Sequence, residues 1–255
     1  MDSVNKTLYI PLWGKAYVSQ RGLILRDSKA EQIWAAEGFP LKGKSKSKWL
    51  AYYMGMRSAV FDRWVQSRMA EDPSAVVVHI GCGLDSRCER VGTHSHLWFD
   101  VDFPEVIAQR RKYYTETETY HMISADIRDL HWLENLPDNN AIIIMEGVSM
   151  YLRPDDLMQM LNRLADHFER VHLLMDCYTT FAAKASRYKN PINDVGVTEV
   201  YGMDDPNMLD GFVREHEMTP MNLVEQLQGM ERRVFKTLYA GSVAKKMYRL
   251  YEYRR

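Results

Sequence analysis

The sequence runs to 255 residues, 46% hydrophobic, 26% charged and 11% aromatic, with a formal net charge of −1 at pH 7. That composition belongs to a folded chain with a sizeable core and excludes disorder as the default state. The 33 lysines and arginines against 34 aspartates and glutamates leave no field to gather nucleic acid or an anionic membrane, and no run is long enough to cross a bilayer. The first 70 residues read as a helical lead-in, because Trp49, Tyr53, Met56, Val60, Phe61, Trp64 and Val65 recur at spacings of three and four. Just before them Lys42, Lys44, Lys46 and Lys48 alternate with glycine and serine, as in a solvated loop. Pro73 ends the helical pattern, and the β-branched run Ala75 to Ile80 predicts a buried parallel strand. A glycine turn, Gly81-Cys82-Gly83, follows, with a short helix expected from Ser86 to Val91.

Strands and helices then alternate. Leu97 to Asp102 reads as a second strand, and Pro104 opens a helix running from Glu105 to Tyr114. Further strands are expected over His121 to Ala125, Ala141 to Met145 and Val171 to Met175, ending at Asp126, Glu146 and Asp176. Between the last two, Pro154, Asp155 and Asp156 open a helix whose apolar stripe is Leu157, Met160, Leu161, Leu164 and Phe168. Residues 179–220 carry glycines, prolines, acidic pairs and aromatics such as Tyr201 and Phe212, and read as a lid over the sheet's carboxyl edge. Met221 to Met230 is expected as the last crossover helix, with Arg233 to Ala240 and Lys246 to Tyr253 as a closing antiparallel strand pair. This alternation predicts a doubly wound, Rossmann-like α/β sheet in one domain: lead-in 1–70, cofactor-binding core 71–178, lid 179–220 and closing segment 221–255.

Cys82, Cys88 and Cys177 show neither a disulfide framework nor zinc spacing, so no metal is expected. The amino terminus lacks a basic region followed by an apolar stretch and a small-residue cleavage site, and a reducing cytoplasm is the expected compartment.

In such sheets ligands bind beyond the carboxyl ends of the strands, so the strand-end residues are the candidates. Gly81 and Gly83 let a backbone approach a ligand closely, although a plain strand-to-helix turn has the same pattern. About twenty residues on, Asp100 and Asp102 share a face, at the spacing of a carboxylate that accepts from ribose hydroxyls; Asp102, nearer the turn, is the better candidate. Asp126 lies where an adenine amino group would fall, with Ile127 as an apolar wall; capping the next helix is its alternative role. A nicotinamide dinucleotide stays open as the cofactor, against the presence of Ser86 where a third glycine would stand.

Four segments carry a resemblance: Gly81-Cys82-Gly83-Leu84-Asp85-Ser86-Arg87, Phe99-Asp100-Val101-Asp102-Phe103-Pro104-Glu105-Val106-Ile107, Ala125-Asp126-Ile127-Arg128 and Glu146-Gly147-Val148-Ser149-Met150-Tyr151-Leu152. In this order they resemble the leucine carboxyl methyltransferase family, in the branch with polyketide-tailoring O-methyltransferases, over about residues 50–180. The resemblance implies a class I methyltransferase sheet and S-adenosyl-L-methionine as cofactor. It implies Arg57 on the cofactor's carboxylate, with a surface pair to Asp62 as the alternative. It also implies Gly81, Cys82 and Gly83 on the amino-acid portion, Asp102 on the ribose, and Asp126 and Ile127 on adenine. Glu146 would face the cofactor's amino group or the transfer site, and Tyr151 joins it as a catalytic candidate. Ser149 departs from the family pattern, where a branched apolar residue is usual.

The implied reaction is methyl transfer to a carboxylate or hydroxyl of a small molecule. A carboxylate is ionised at neutral pH and needs no base, whereas a phenol does. His79, His121 and His216 read as structural, His216 the least so. Substrate contacts are expected from the lead-in and from Tyr178, Tyr201 and Arg214. Methylation of a protein carboxyl terminus, nicotinamide-dependent oxidoreduction and a non-catalytic nucleoside-binding role are the competing readings. The chain is expected to act as a monomer or homodimer.

Overall fold

The computed structural model describes residues 3–93, 95–197, 199–207, 209, 211–238 and 246–255. The lead-in folds into α1 (Ser3–Lys6), α2 (Tyr9–Gln20), α3 (Ser28–Glu37) and α4 (Lys48–Glu71). Asp27 caps α3 by accepting from the Ala30 amide at 2.8 Å. α2 crosses α4 so closely that a Cβ on Gly55 would fall 2.8 Å from a Val18 methyl. A larger residue would push α2 off the long helix, and α2 carries part of the cavity described below.

Seven strands form one sheet: β1 (Val76–Ile80), β2 (Trp98–Asp102), β3 (Tyr120–Ser124), β4 (Ala141–Met145), β5 (Val171–Tyr178), β6 (Val213–Met218) and β7 (Tyr248–Arg254). Their order is β3-β2-β1-β4-β5-β7-β6, parallel through β5, with β7 antiparallel to both its neighbours. The remaining helices are α5 (Arg87–Val91), α6 (Pro104–Arg110), α7 (Pro154–His167), α8 (Thr180–Lys189) and α9 (Gly229–Leu238). Alternation along the strands divides the core in two. Val77, Ile142, Ile144 and Leu174 pack with Met56, Phe61 and Trp64 of α4, whereas Val78, Ile80, Ile143 and Leu173 pack with Leu157, Leu161 and Leu164 of α7. The strand order reverses between β1 and β4, and this opens a crevice at their carboxyl ends.

The closing elements differ from the sequence expectation. Residues 233–238 of the expected strand lie instead in α9, whose Phe235 is fully buried against Tyr52; positions 239 and 240 lie outside the described residues. The partner of β7 is β6, inside the segment read as a lid. Val213-Arg-Glu-His-Glu-Met218 is an edge strand with mostly exposed side chains, so it lacks the apolar run that marks the central strands. The expected helix over Met221 to Met230 is instead a 3-10 segment, Pro220–Gln226, followed by the start of α9. β5 continues to Tyr178 because β7 pairs with it from His172 onward, so Asp176 sits within the strand. Among the described residues no helix is long and apolar enough to cross a membrane.

Candidate active site

The crevice opens into a cavity of about 850 Å³, walled by the lead-in on one side and by the ends of β1, β2 and β4 on the other. Gly81, Cys82 and Gly83 form its floor. Gly81 has φ 65°, and a Cβ there would run into Val148. Gly83 has φ 53°, and its amide donates to Asp102 Oδ2 at 2.7 Å. The other Asp102 oxygen accepts from the Phe103 amide at 2.8 Å. Two main-chain donors do not offset the loss of water, and burial pushes the Asp102 carboxyl up to about 6.

Asp100, two residues earlier on the same face, is treated differently. Its carboxylate takes Arg110, the Tyr120 hydroxyl and the Trp98 ring N–H. Burial works to raise its pKa, but Arg110 foremost outweighs that and holds it at about 2. Asp100 is therefore a fully paired interior group, and Asp102 is the one at the cavity.

A second polar cluster closes the cavity beside α4. Arg57 is buried and donates from Nε to Glu146 at 2.8 Å, and from Nη1 to Asp176 at 3.0 Å and to the Tyr248 hydroxyl at 2.6 Å. It does not pair with Asp62, five positions along the same helix, where side chains diverge. Asp62 binds Arg87 and Arg90 instead. Glu146 also takes Arg87. Burial opposes its ionisation, but Arg87 and Arg57 together hold the carboxyl at about 2. Asp176, which shares Arg57 with Glu146, is pushed up by burial to about 6. From α2, Lys15 reaches Asp85 at 2.8 Å, with both side chains nearly inaccessible.

The other sequence candidates divide. Asp126 and Ile127 line the cavity, and Asp126 pairs with Arg128. The capping alternative falls to Asp129, which accepts from the His131 amide at the following 3-10 turn. Tyr151 and Tyr178 line the cavity, and the Tyr178 hydroxyl accepts from Asn190 at 3.1 Å. Tyr201 and Arg214 are not brought to it. Tyr201 lines a separate small cavity with Leu152, Leu157 and Leu209, drawn there as its amide donates to the Met150 carbonyl. Arg214 lies exposed on β6 with its guanidinium over Tyr251, and His216 is on the same edge strand. Among the described residues one metal-capable group assembles, His172, Glu215 and Glu252. It lies outside the cavity, and arginines already engage both carboxylates, Arg254 on Glu215 and Arg68 on Glu252.

Sequence reasoning missed Lys15, Tyr53, Asp176 and Tyr248. Tyr53 was legible only as part of an apolar stripe, and Tyr248 only as part of a closing strand. Arg87 and Arg90, three apart just after the glycine turn, were the available sign of a buried acidic partner.

A family model described as leucine carboxyl methyltransferase matches residues 11–165. The chain is 29% identical over 216 residues to the tetracenomycin polyketide synthesis O-methyltransferase TcmP of Streptomyces glaucescens, covering 84% of this chain and 80% of that protein. It is 25% identical over 237 residues to the S-adenosyl-L-methionine-dependent methyltransferase dpfgK of Gibberella zeae, with the same coverage of 84% and 80%. In fold it is similar to a crystal structure of a putative methyltransferase from Thermobifida fusca, with a TM-score of 0.59 and 14% identity over 95% of this chain and 94% of the other.

Proposed function

The chain belongs to the leucine carboxyl methyltransferase family and is an S-adenosylmethionine-dependent methyltransferase, and from that premise we propose that it methylates an oxygen of a small molecule. The cofactor supplies an already activated methyl group, so the protein's part is to position the two reactants and exclude water. The observation that carries the assignment is Asp102. It is a carboxylate at the cavity floor held by two amides, and burial has left it in want of further donors such as a pair of ribose hydroxyls.

In this reading Gly81, Cys82 and Gly83 lie against the amino-acid portion of the cofactor, and Arg57 takes its carboxylate. Asp126 and Ile127 flank adenine, Glu146 faces the amino group and Tyr151 the transfer site. The lining carries the acids Asp85, Asp102, Glu105, Asp126 and Glu146 against the bases Lys15, Lys44, Arg57 and Arg128. A surplus of acid suits a cationic sulfonium. Beyond the polar clusters, Leu8, Leu50, Tyr53, Tyr151 and Tyr178 give an apolar and aromatic chamber, which favours a small organic acceptor over a protein terminus. The relative TcmP, named for tetracenomycin polyketide synthesis, supports an acceptor of that general kind.

Calorimetry with S-adenosylhomocysteine and with NADH tests the site: the first should bind and the second should not. Mass spectrometry of a metabolite extract incubated with methyl-labelled cofactor should show label on an oxygen of a small molecule. Label on nitrogen or carbon would contradict the proposal.

A further inference from the structure

Asp176 has no direct access to the cavity: it is fully buried, and it is Tyr248 that lines the wall. The Tyr248 hydroxyl accepts from Arg57 Nη1 at 2.6 Å and donates to Asp176 Oδ2. Its own proton therefore points at the carboxylate, and its oxygen keeps a lone pair for a hydroxyl in the chamber. The ring is fixed edge-on between Tyr53 (5.6 Å, 79°) and Tyr178 (5.3 Å, 67°). Building on the O-methylation proposed above, we infer that Tyr248 and Asp176 form a proton route from the acceptor, and hence that the acceptor atom is a phenolic or enolic hydroxyl.

The balance of the step is simple. As the acceptor oxygen bonds the methyl carbon, the carbon–sulfur bond breaks and its electron pair stays on sulfur. The acceptor's hydroxyl proton passes to the Tyr248 oxygen, and the Tyr248 proton passes to Asp176, which ends as the neutral acid. A carboxylate acceptor has no proton to lose at neutral pH and would leave this pair idle.

The groups facing Asp176 suit that task. They are Arg57 and Tyr53 from α4, Glu146 and the Gly147 amide from the end of β4, Tyr151 from the turn that follows, Cys177 and Tyr178 from its own strand, and Tyr248 from β7. Arg57 supplies the close positive charge and divides it with Glu146. Burial therefore leaves Asp176 at about 6, ionised at neutral pH yet basic enough to take a proton.

Naphthol and naphthoate, the same bicyclic frame with a hydroxyl or a carboxylate, test the inference with methyl-labelled S-adenosylmethionine. Naphthol should be methylated, with kcat falling as pH drops below about 6. Tyr248→Phe and Asp176→Asn should each lower that kcat about 100-fold, the usual share of a proton acceptor. Their rates should then climb with pH as naphthol ionises by itself, and a cooperative thermal unfolding transition should show that they fold. Naphthol turnover that keeps its rate and pH profile in both variants overturns the proton route alone, as does transfer to naphthoate only. Transfer to neither compound by protein that binds S-adenosylhomocysteine tells against O-methylation itself, and the route goes with it.

Discussion

Within the span of three residues, β2 carries one carboxylate inside the sheet and another at its rim, and the protein treats them in opposite ways. Asp100 has a guanidinium, a phenol and an indole N–H, and stays ionised far into acid. Asp102 has only two amides, and burial raises it. The same contrast separates Glu146, held by two arginines, from Asp176, which has a share of one. A buried acid whose charge is fully matched holds the fold together. One whose charge is met only by neutral donors or by a shared cation stands ready for a ligand or a proton.

The sharpest break of this contrast is Arg110→Leu. It should strand Asp100 and destabilise the protein by about 3–5 kcal/mol in denaturant unfolding, the usual cost of an uncompensated buried charge. Adding Asp100→Leu should restore much of the loss, because the partnerless charge is then gone. At the rim, Asp102→Ala should weaken S-adenosylhomocysteine binding by about 1–3 kcal/mol in calorimetry. It should not lower the stability of the ligand-free protein at pH 8. If affinity is unmoved, Asp102 does not touch the ligand.

Acid sharpens the comparison further. Asp100 is lowered on folding, so its contribution to stability is present above pH 3.8 and lost as pH falls through about 2. Asp102 is raised, so its relative contribution is present below pH 3.8 and lost as pH rises through about 6. The stability of wild type relative to Asp102→Asn should therefore decline across that interval in pH-dependent denaturation. Affinity for S-adenosylhomocysteine should run the other way, weakening as wild-type protein is titrated below about pH 6, with a flat profile in the asparagine variant. The smallest effect is expected for Arg214→Ala, which is exposed on β6 away from the cavity. Its stability should stay within about 0.5 kcal/mol and its ligand affinity unchanged.

The five parallel strands were readable because each must be apolar on both faces, and the resulting β-branched runs have no polar neighbours to blur them. The edge strand and α9 were not. An edge strand can be polar on both faces and so leaves no apolar run. α9 does carry its apolar residues at helical spacing, Met230, Val234 and Phe235, and the strand reading overlooked that period. At the site, Gly81, Gly83, Asp102, Asp126 and Glu146 were legible because strand ends are fixed points in this fold. Tyr201 and Arg214 were misplaced because nothing local tells on which side of the sheet a returning chain will settle.

By itself, then, the sequence determined the order of elements, the family and the strand-end residues that meet at the crevice, since all of these follow from period, turn chemistry and motif spacing along one chain. Tertiary structure alone decided who pairs with whom: Arg57 with Glu146 and Asp176 rather than Asp62, and Tyr248 with Asp176 across 72 positions. Charge pairing depends on distance and on exclusion of water, and neither quantity exists until the helices have packed against the sheet.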